Sequence, residues 1–260
     1  MRITNVAGRA HLVADDRVVD IATVSEGRFP SDPMDLFVRW DEVSAWAQQV
    51  NFGDGRVLDP LTLGGALSTT AAGFCGGEQL PPPPRHPRPT SRPAGHLHQV
   101  PGQRGRAARR RPAAHGHRDW EVELVVVVAR TVRTVAAAEA WRVVAGVTVG
   151  QDYSERTLQL AGPTKQFSLG KSFPNFGPTG PVLVTPEELA DKDDLHLRCS
   201  VNGRVVQDAR TSQMIFPVSD LISRLSMVCT LLPGDLIFTG TPGGKHSAPI
   251  VGMLDHRSAG

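Results

Sequence analysis

The apolar positions of this chain fall mostly into short runs with strand-like spacing. Residues 122–129, 143–149, 182–185, 195–201, 204–207 and 236–239 read as strands, each a cluster of Val, Ile, Leu or Phe bounded by turn formers. Asn202-Gly203, between two of these runs, predicts a two-residue hairpin turn of type I′. Nearer the N-terminus, residues 1–3 and 17–22 read as short strands with a turn at Ala14-Asp15-Asp16. Residues 34–50 carry the helical stripe Leu36, Phe37, Trp40, Val43 and Trp46, with Ser31 or Asp32 as N-cap and Pro33 at the first position. Residues 217–229 predict a second helix through Ile222, Leu225 and Ser226. A short one follows Thr185 as cap, and an alanine-rich one spans 132–142. The fold class is therefore mostly β with some α, with a small α+β unit over 1–67 and a larger unit over 119–260.

Between those units, residues 68–118 break the pattern. From Pro81 to Arg118 there are four consecutive prolines and nine arginines (85, 88, 92, 104, 106, 109, 110, 111 and 118) but no acid. The formal charge of +2 rests on them: without these nine, 19 basic residues face 26 acidic ones. The basic balance thus says nothing about the rest of the chain. The tract reads as a polyproline-like insertion or as a basic arm for a nucleic acid or an acidic partner. No nucleic-acid partner is expected. No apolar run approaches the ~20 residues of a membrane span, and residues 1–5 lack the apolar core of a signal peptide. Cys75, Cys199 and Cys229 have neither metal nor disulfide spacing. A soluble enzyme in the cytoplasm is expected.

The candidate chemistry lies where the valine run begins. Glu121 and Glu123, two apart on a strand, share a face. Two carboxylates side by side repel unless a proton or cation lies between them. Asp152, some thirty residues on, would complete an all-oxygen site of the kind that Mg²⁺ or Mn²⁺ prefers. Taken alone, an E-x-E pair also fits a strand edge with exposed glutamates.

The order of motifs decides between these readings. The E-x-E strand is followed by Asp152, Arg156 and Gln159 in a D-x-x-x-R-x-x-Q block, then Gly170-Lys171-Ser172-Phe173. Next come Phe176-Gly177-Pro178-Thr179-Gly180-Pro181, Val201-Asn202-Gly203 and the run Pro233-Gly234-Asp235 through Gly240-Thr241-Pro242-Gly243. Together they resemble the fumarylacetoacetate hydrolase family in its bacterial form. The resemblance implies a rolled β-sandwich. It places a divalent metal (Mg²⁺, or Mn²⁺ or Ca²⁺) on Glu121, Glu123 and Asp152, a catalytic role on Lys171, and substrate binding on Arg156, Gln159 and Thr241. It implies hydrolysis of a C–C bond in an acylpyruvate-like 1,3-dicarbonyl acid, the metal polarising the carbonyl and stabilising the departing enolate. Arg156 would grip a carboxylate in bidentate fashion, Lys171 would meet oxyanion charge, and Thr241 would offer its hydroxyl. Isomerase, hydratase or decarboxylase activity on related 2-oxo acids, or an inactive metal-binding member, fits the same residues. A homodimer acting on a small-molecule substrate is implied.

The chain departs from that family twice. The family carries V-F-A-V-G-x-N-Y and then a histidine, which serves as general base in several members, and later F-x-K-F; none is printed here. Back-translation of residues 68–80 with permitted third bases, read one base downstream, gives P-P-R-P-R-V-F-A-V-G-S-N-Y. The same shift over 96–101 gives T-F-T-K-F followed by proline. Two compensating indels, near residues 64–67 and 115–118, would explain both. His86, His96, His98, His115 and His117 lie in this tract and receive no role. After Gly244 the family continues into further strands, where this chain runs Lys245-His246-Ser247-Ala248-Pro249 to Gly260. Poor solubility or low turnover is expected from the two departures together.

Overall fold

The computed structural model describes residues 1–53, 55–59, 62–65, 73–75 and 118–242. The five histidines named above, most of the Pro/Arg tract with its reading-frame question, and the C-terminal departure lie outside the described residues.

In chain order the strands and α-helices are β1 (Arg2–Val6), β2 (Arg9–Ala14), β3 (Arg17–Asp20), α1 (Ile21–Val24), α2 (Trp40–Ala47), β4 (Arg56–Val57), β5 (Gly73–Cys75), β6 (Arg118–Asp119), β7 (Val122–Val128), β8 (Val144–Gln151), β9 (Ser154–Glu155), α3 (Arg156–Leu160), β10 (Val182–Val184), β11 (His196–Val201), β12 (Arg204–Arg210), α4 (Val218–Val228) and β13 (Leu236–Phe238). Nine strands form one sheet in the order β4-β3-β2-β1-β10-β8-β7-β13-β5. All its pairs are antiparallel except β13 with β5. The result is mostly β, as the pattern predicts. The N-terminal strands enter the same sheet as the later ones through β1 and β10, with Ile3 opposite Leu183.

The valine run becomes an interior strand of the sheet, β7, between β8 and β13, and both of its faces are covered. Val125 and Val127 face one core, with Ile3, Leu12, Phe29, Leu36, Phe37 and Leu236. Leu124, Val126 and Val128 face the other, with Leu197, Met214, Ile222, Leu225 and Ile237. Burial on both sides is why this strand reads as continuous apolar sequence rather than as alternation. Asn202 and Gly203 both have positive φ (51° and 79°), as a type I′ turn requires, and join β11 to β12. Among the described residues no helix is long and apolar enough to cross a membrane.

Three predicted elements differ. Residues 34–50 do not form one helix: Asp35–Arg39 is a 3-10 helix, and Arg39 leaves helical geometry (φ −127°, ψ 35°) before α2 begins. Neither Ser31 nor Asp32 is the N-cap: that position is Met34, without a side-chain cap bond, and the Asp32 carboxylate accepts the Met34 N–H at 2.8 Å. Residues 132–142 are not an α-helix either. Val132 bridges Leu231, and Thr134 has φ 56° and donates its N–H to the Ser226 carbonyl, so only Ala137–Val143 coils, as a 3-10 helix. Thr185 begins a 3-10 turn but makes no cap bond: its hydroxyl accepts from the N-terminal ammonium at 2.8 Å.

Candidate metal and anion site

The register of β7 on β8 assembles the site. Glu123 stands opposite Gly150, Val122 opposite Gln151, and the Asp152 N–H donates to the Glu121 carbonyl at 2.8 Å. Glu121 and Glu123 lie on the Val125 face of β7. Gly150 leaves room there: a Cβ on it would lie 2.5 Å from Val125 Cγ2 and 2.7 Å from the Phe238 ring. Carboxylate oxygens of Glu121, Glu123 and Asp152 come within 4.8 Å of one another, and all three residues are buried. The pair is therefore not a strand edge with exposed glutamates.

Chain beyond β13 closes the site from the other side. The Gly240 N–H donates to Glu123 Oε2 at 2.8 Å. The Thr241 hydroxyl donates to the Val122 carbonyl at 2.9 Å and accepts from Gln207 Nε2 at 2.8 Å, while Gln207 Oε1 accepts the Val122 N–H. Thr241 thus fastens this segment, and the β11–β12 hairpin, to the strand that bears the glutamates.

Two cations face the acids. Lys171, at the end of the 3-10 turn Leu169–Lys171, bonds Asp152 Oδ2. Gly170 sets this turn against α3: a Cβ there would lie 2.3 Å from Gln159 Cγ and 2.9 Å from the Glu155 carbonyl. α3 starts where it does because the Glu155 side chain accepts the Thr157 and Leu158 N–H groups. Arg156, its first residue, donates from Nε and Nη2 to Asp119 Oδ2 (3.1 and 2.7 Å) and from Nη1 to Gln159 Oε1 (2.8 Å). It reaches Glu121 Oε1 from Nη2 at 3.5 Å. Its Nε–Nη2 edge is thus on Asp119 in this conformation. Gln159, buried, holds the Phe167 carbonyl at 3.2 Å.

The electrostatics show what the residues alone leave unsatisfied. Burial pushes the Glu123 carboxyl well above its ordinary range, and Asp152 and Glu121 add to this, against Lys171 and the Gly240 N–H. Burial also raises Asp152, with Lys171 opposing. Burial works against the Arg156 charge, but Glu121 and Asp119 hold its pKa above the usual value. Counted formally, three buried carboxylates with one lysine among them leave two negative charges in excess, and the candidate ligand atoms are all carboxylate oxygens. That donor set suits a hard divalent cation.

All seven predicted site residues gather here. Asp119, Gln207 and Glu155 complete the arrangement, and sequence reasoning assigns them nothing. Asp119 leaves one sequence signal: it lies two residues before Glu121 and continues the same alternation.

The fumarylacetoacetate hydrolase C-terminal family model matches residues 86–258, and the chain belongs to that family. It is 48% identical over 126 residues to the mitochondrial oxaloacetate tautomerase FAHD2A of Homo sapiens, 48% of this chain and 40% of that protein. It is also 48% identical over 133 residues to the 2,4-didehydro-3-deoxy-L-rhamnonate hydrolase of Sphingomonas sp. strain SKA58, 51% of this chain and 46% of that protein. The chain thus spans less than half the length of these curated relatives. A crystal structure from Mycobacterium smegmatis, assigned as an HpcE protein, superposes with a TM-score of 0.84 at 45% identity, covering 94% of this chain and 88% of that one.

Proposed function

We propose that this chain is a divalent-metal-dependent hydrolase that cleaves a C–C bond in an acylpyruvate-like 1,3-dicarbonyl acid. The observation that carries the reading is the buried Glu121–Glu123–Asp152 triad with Lys171 bonded to Asp152. The triad would hold Mg²⁺, or Mn²⁺ or Ca²⁺ in its place, and a bound ion would supply Lewis-acid polarisation of a 2-oxo group. Lys171 keeps an ammonium beside the triad, where oxyanion charge develops on the substrate. Arg156, fixed by Asp119 and Gln159, adds a permanent positive charge for the substrate's carboxylate. Thr241 holds the Gly240 turn against Glu123 and shapes the wall of the site. In the balanced reaction, water oxygen bonds to the acyl carbon and the acyl–CH₂ bond breaks. Its electron pair passes into the pyruvate enolate, which takes up a proton; the products are a carboxylic acid and pyruvate. A homodimer in the cytoplasm goes with this reading.

A tautomerase or isomerase on a 2-oxo acid is the second reading. The likeness to the human tautomerase favours it. Hydrolysis needs a water nucleophile and a base that activates it, whereas enol–keto exchange needs only a group that moves a proton between oxygen and carbon. The test follows the enol absorbance of an acylpyruvate and of oxaloacetate with Mg²⁺ or Mn²⁺, with pyruvate measured by a coupled reduction. Pyruvate release from the acylpyruvate is expected. Oxaloacetate enol decay without acylpyruvate cleavage supports the tautomerase. Neither signal from a metal-loaded chain removes both.

A further inference from the structure

Asp119 belongs to no expected ligand set, yet it makes the shortest contact that Arg156 has. Its Oδ2 takes both Nε and Nη2 of the guanidinium, at 3.1 and 2.7 Å, and its Oδ1 accepts the Trp120 N–H at 3.0 Å. The β6–β9 pairing sets Asp119 opposite Ser154, two residues before Arg156, so the carboxylate is placed by backbone register. At the other end of the guanidinium, Gln159 takes Nη1 at 2.8 Å and is itself anchored on the Phe167 carbonyl. Held at both ends, Arg156 stops at 3.5 Å from Glu121 Oε1, the outer limit of a hydrogen bond.

That distance has a chemical meaning. A guanidinium keeps its charge under all ordinary conditions and matches a carboxylate with two parallel N–H groups. Left unrestrained beside Glu121, Arg156 would close on it and engage the lone pairs that a cation needs. We infer that Asp119 is a positioning residue that holds Arg156 off Glu121, so that the guanidinium does not compete with a divalent ion for that carboxylate. The inference rests on the proposed metal reading and deepens it. It also fits the formal charge count: with every group ionised, Asp119, Glu121, Glu123 and Asp152 against Arg156 and Lys171 leave two negative charges, which one such ion would match.

Mn²⁺ titration by calorimetry on the full chain tests it, with thermal unfolding as the fold control. Four proteins are compared: wild type, Asp119→Asn, Arg156→Gln and the double variant. Asp119→Asn is expected to weaken Mn²⁺ binding by about 10- to 100-fold, the usual size of an effect transmitted through a ligand's hydrogen-bond partner. Arg156→Gln is expected to bind Mn²⁺ at least as tightly as wild type, because the competing cation is gone. The double variant is expected to match Arg156→Gln, so the loss caused by Asp119→Asn vanishes once the guanidinium is absent. A merely structural role gives losses that add. Wild-type affinity in Asp119→Asn, or a double variant as weak as Asp119→Asn, overturns the inference. So does weakened binding in Arg156→Gln, which decides even if Asp119→Asn fails to fold. A wild type that gives no Mn²⁺ heat overturns the metal reading and this inference together.

Discussion

Glu123 is the residue where fold and chemistry conflict most. It is 1% exposed, and like charges at Asp152 and Glu121 raise its pKa beyond what burial alone does. In Glu123→Gln the amide oxygen can still accept the Gly240 N–H, while the buried repulsion is gone. The metal-free variant is therefore expected to melt higher than metal-free wild type. The stabilisation given by Mn²⁺, about 2.7 kcal/mol at a hundredfold excess over Kd, is expected to disappear; differential scanning calorimetry with and without the ion checks both. Gly170 tests how Lys171 is delivered. A methyl there meets Gln159 Cγ at 2.3 Å and the Glu155 carbonyl at 2.9 Å, so the turn must shift. Gly170→Ala is expected to cost about 1–3 kcal/mol in urea unfolding and to lower kcat although every charged group is kept. The residues legible in the sequence are those whose partners are near in the chain or whose motif is dense: Glu121 with Glu123, Asp152 with Arg156. Gln207 is silent in the sequence and Asp119 nearly so, because their roles arise from contacts 34 and 37 residues away, with Thr241 and Arg156.

The strands and helices show the same division. The valine run, the Asn202-Gly203 hairpin and α4 follow the local pattern within a few residues. β2 escaped it: Arg9–Ala14 holds a buried His11 among its apolar residues, and no alternation survives when both faces are covered. The 132–142 stretch has alanine-rich helical propensity, but α4 overrides it. Ser226, fully buried, accepts the Val135 N–H on its hydroxyl at 3.0 Å and the Thr134 N–H on its carbonyl at 2.9 Å. Ser226→Ala leaves the Val135 N–H without that acceptor and is expected to cost about 1–3 kcal/mol, read from the urea midpoint. At the junction of β2, β3 and α1, Asp20 takes Arg9 at 2.6 and 2.9 Å and caps α1 through the Thr23 N–H at 2.8 Å. Arg9 first, then the Thr23 bonds, hold its pKa below the ordinary 3.8. A carboxylate lowered on folding stabilises the fold above its unfolded pKa, and that contribution fades as pH falls through the folded value. Asp20→Asn is thus expected to lower the thermal midpoint at neutral pH and to converge on wild type in strong acid, as a pH series of melts will show.

Composition changes near residues 67 and 118, but the sheet and the core do not stop there. β1 pairs with β10, and one buried cluster contains Ile3, Leu12, Val19, Phe29 and Leu36 together with Val125, Val127, Leu183, Leu236 and Phe238. Arg130 and Asp41 also join the two segments at 2.8 Å, and Met34 packs on Gly234. A shared core makes unfolding cooperative, since neither half keeps its apolar face covered without the other. Ile3, 2% exposed and opposite Leu183, is the point of leverage. Ile3→Ala removes buried methyl groups at an expected cost of about 2–4 kcal/mol. If the segments unfold as one unit, that loss moves the transition reported by Trp120 and Trp141 of the later segment, read in a Trp40→Phe, Trp46→Phe background, as far as it moves the far-UV signal of the whole chain. It also weakens the apparent Mn²⁺ affinity wherever the folded fraction drops below unity. Separate urea transitions, with the Trp120 and Trp141 probes unmoved by Ile3→Ala, would instead mark residues 1–67 as an independently folding domain and detach the metal triad's stability from β1.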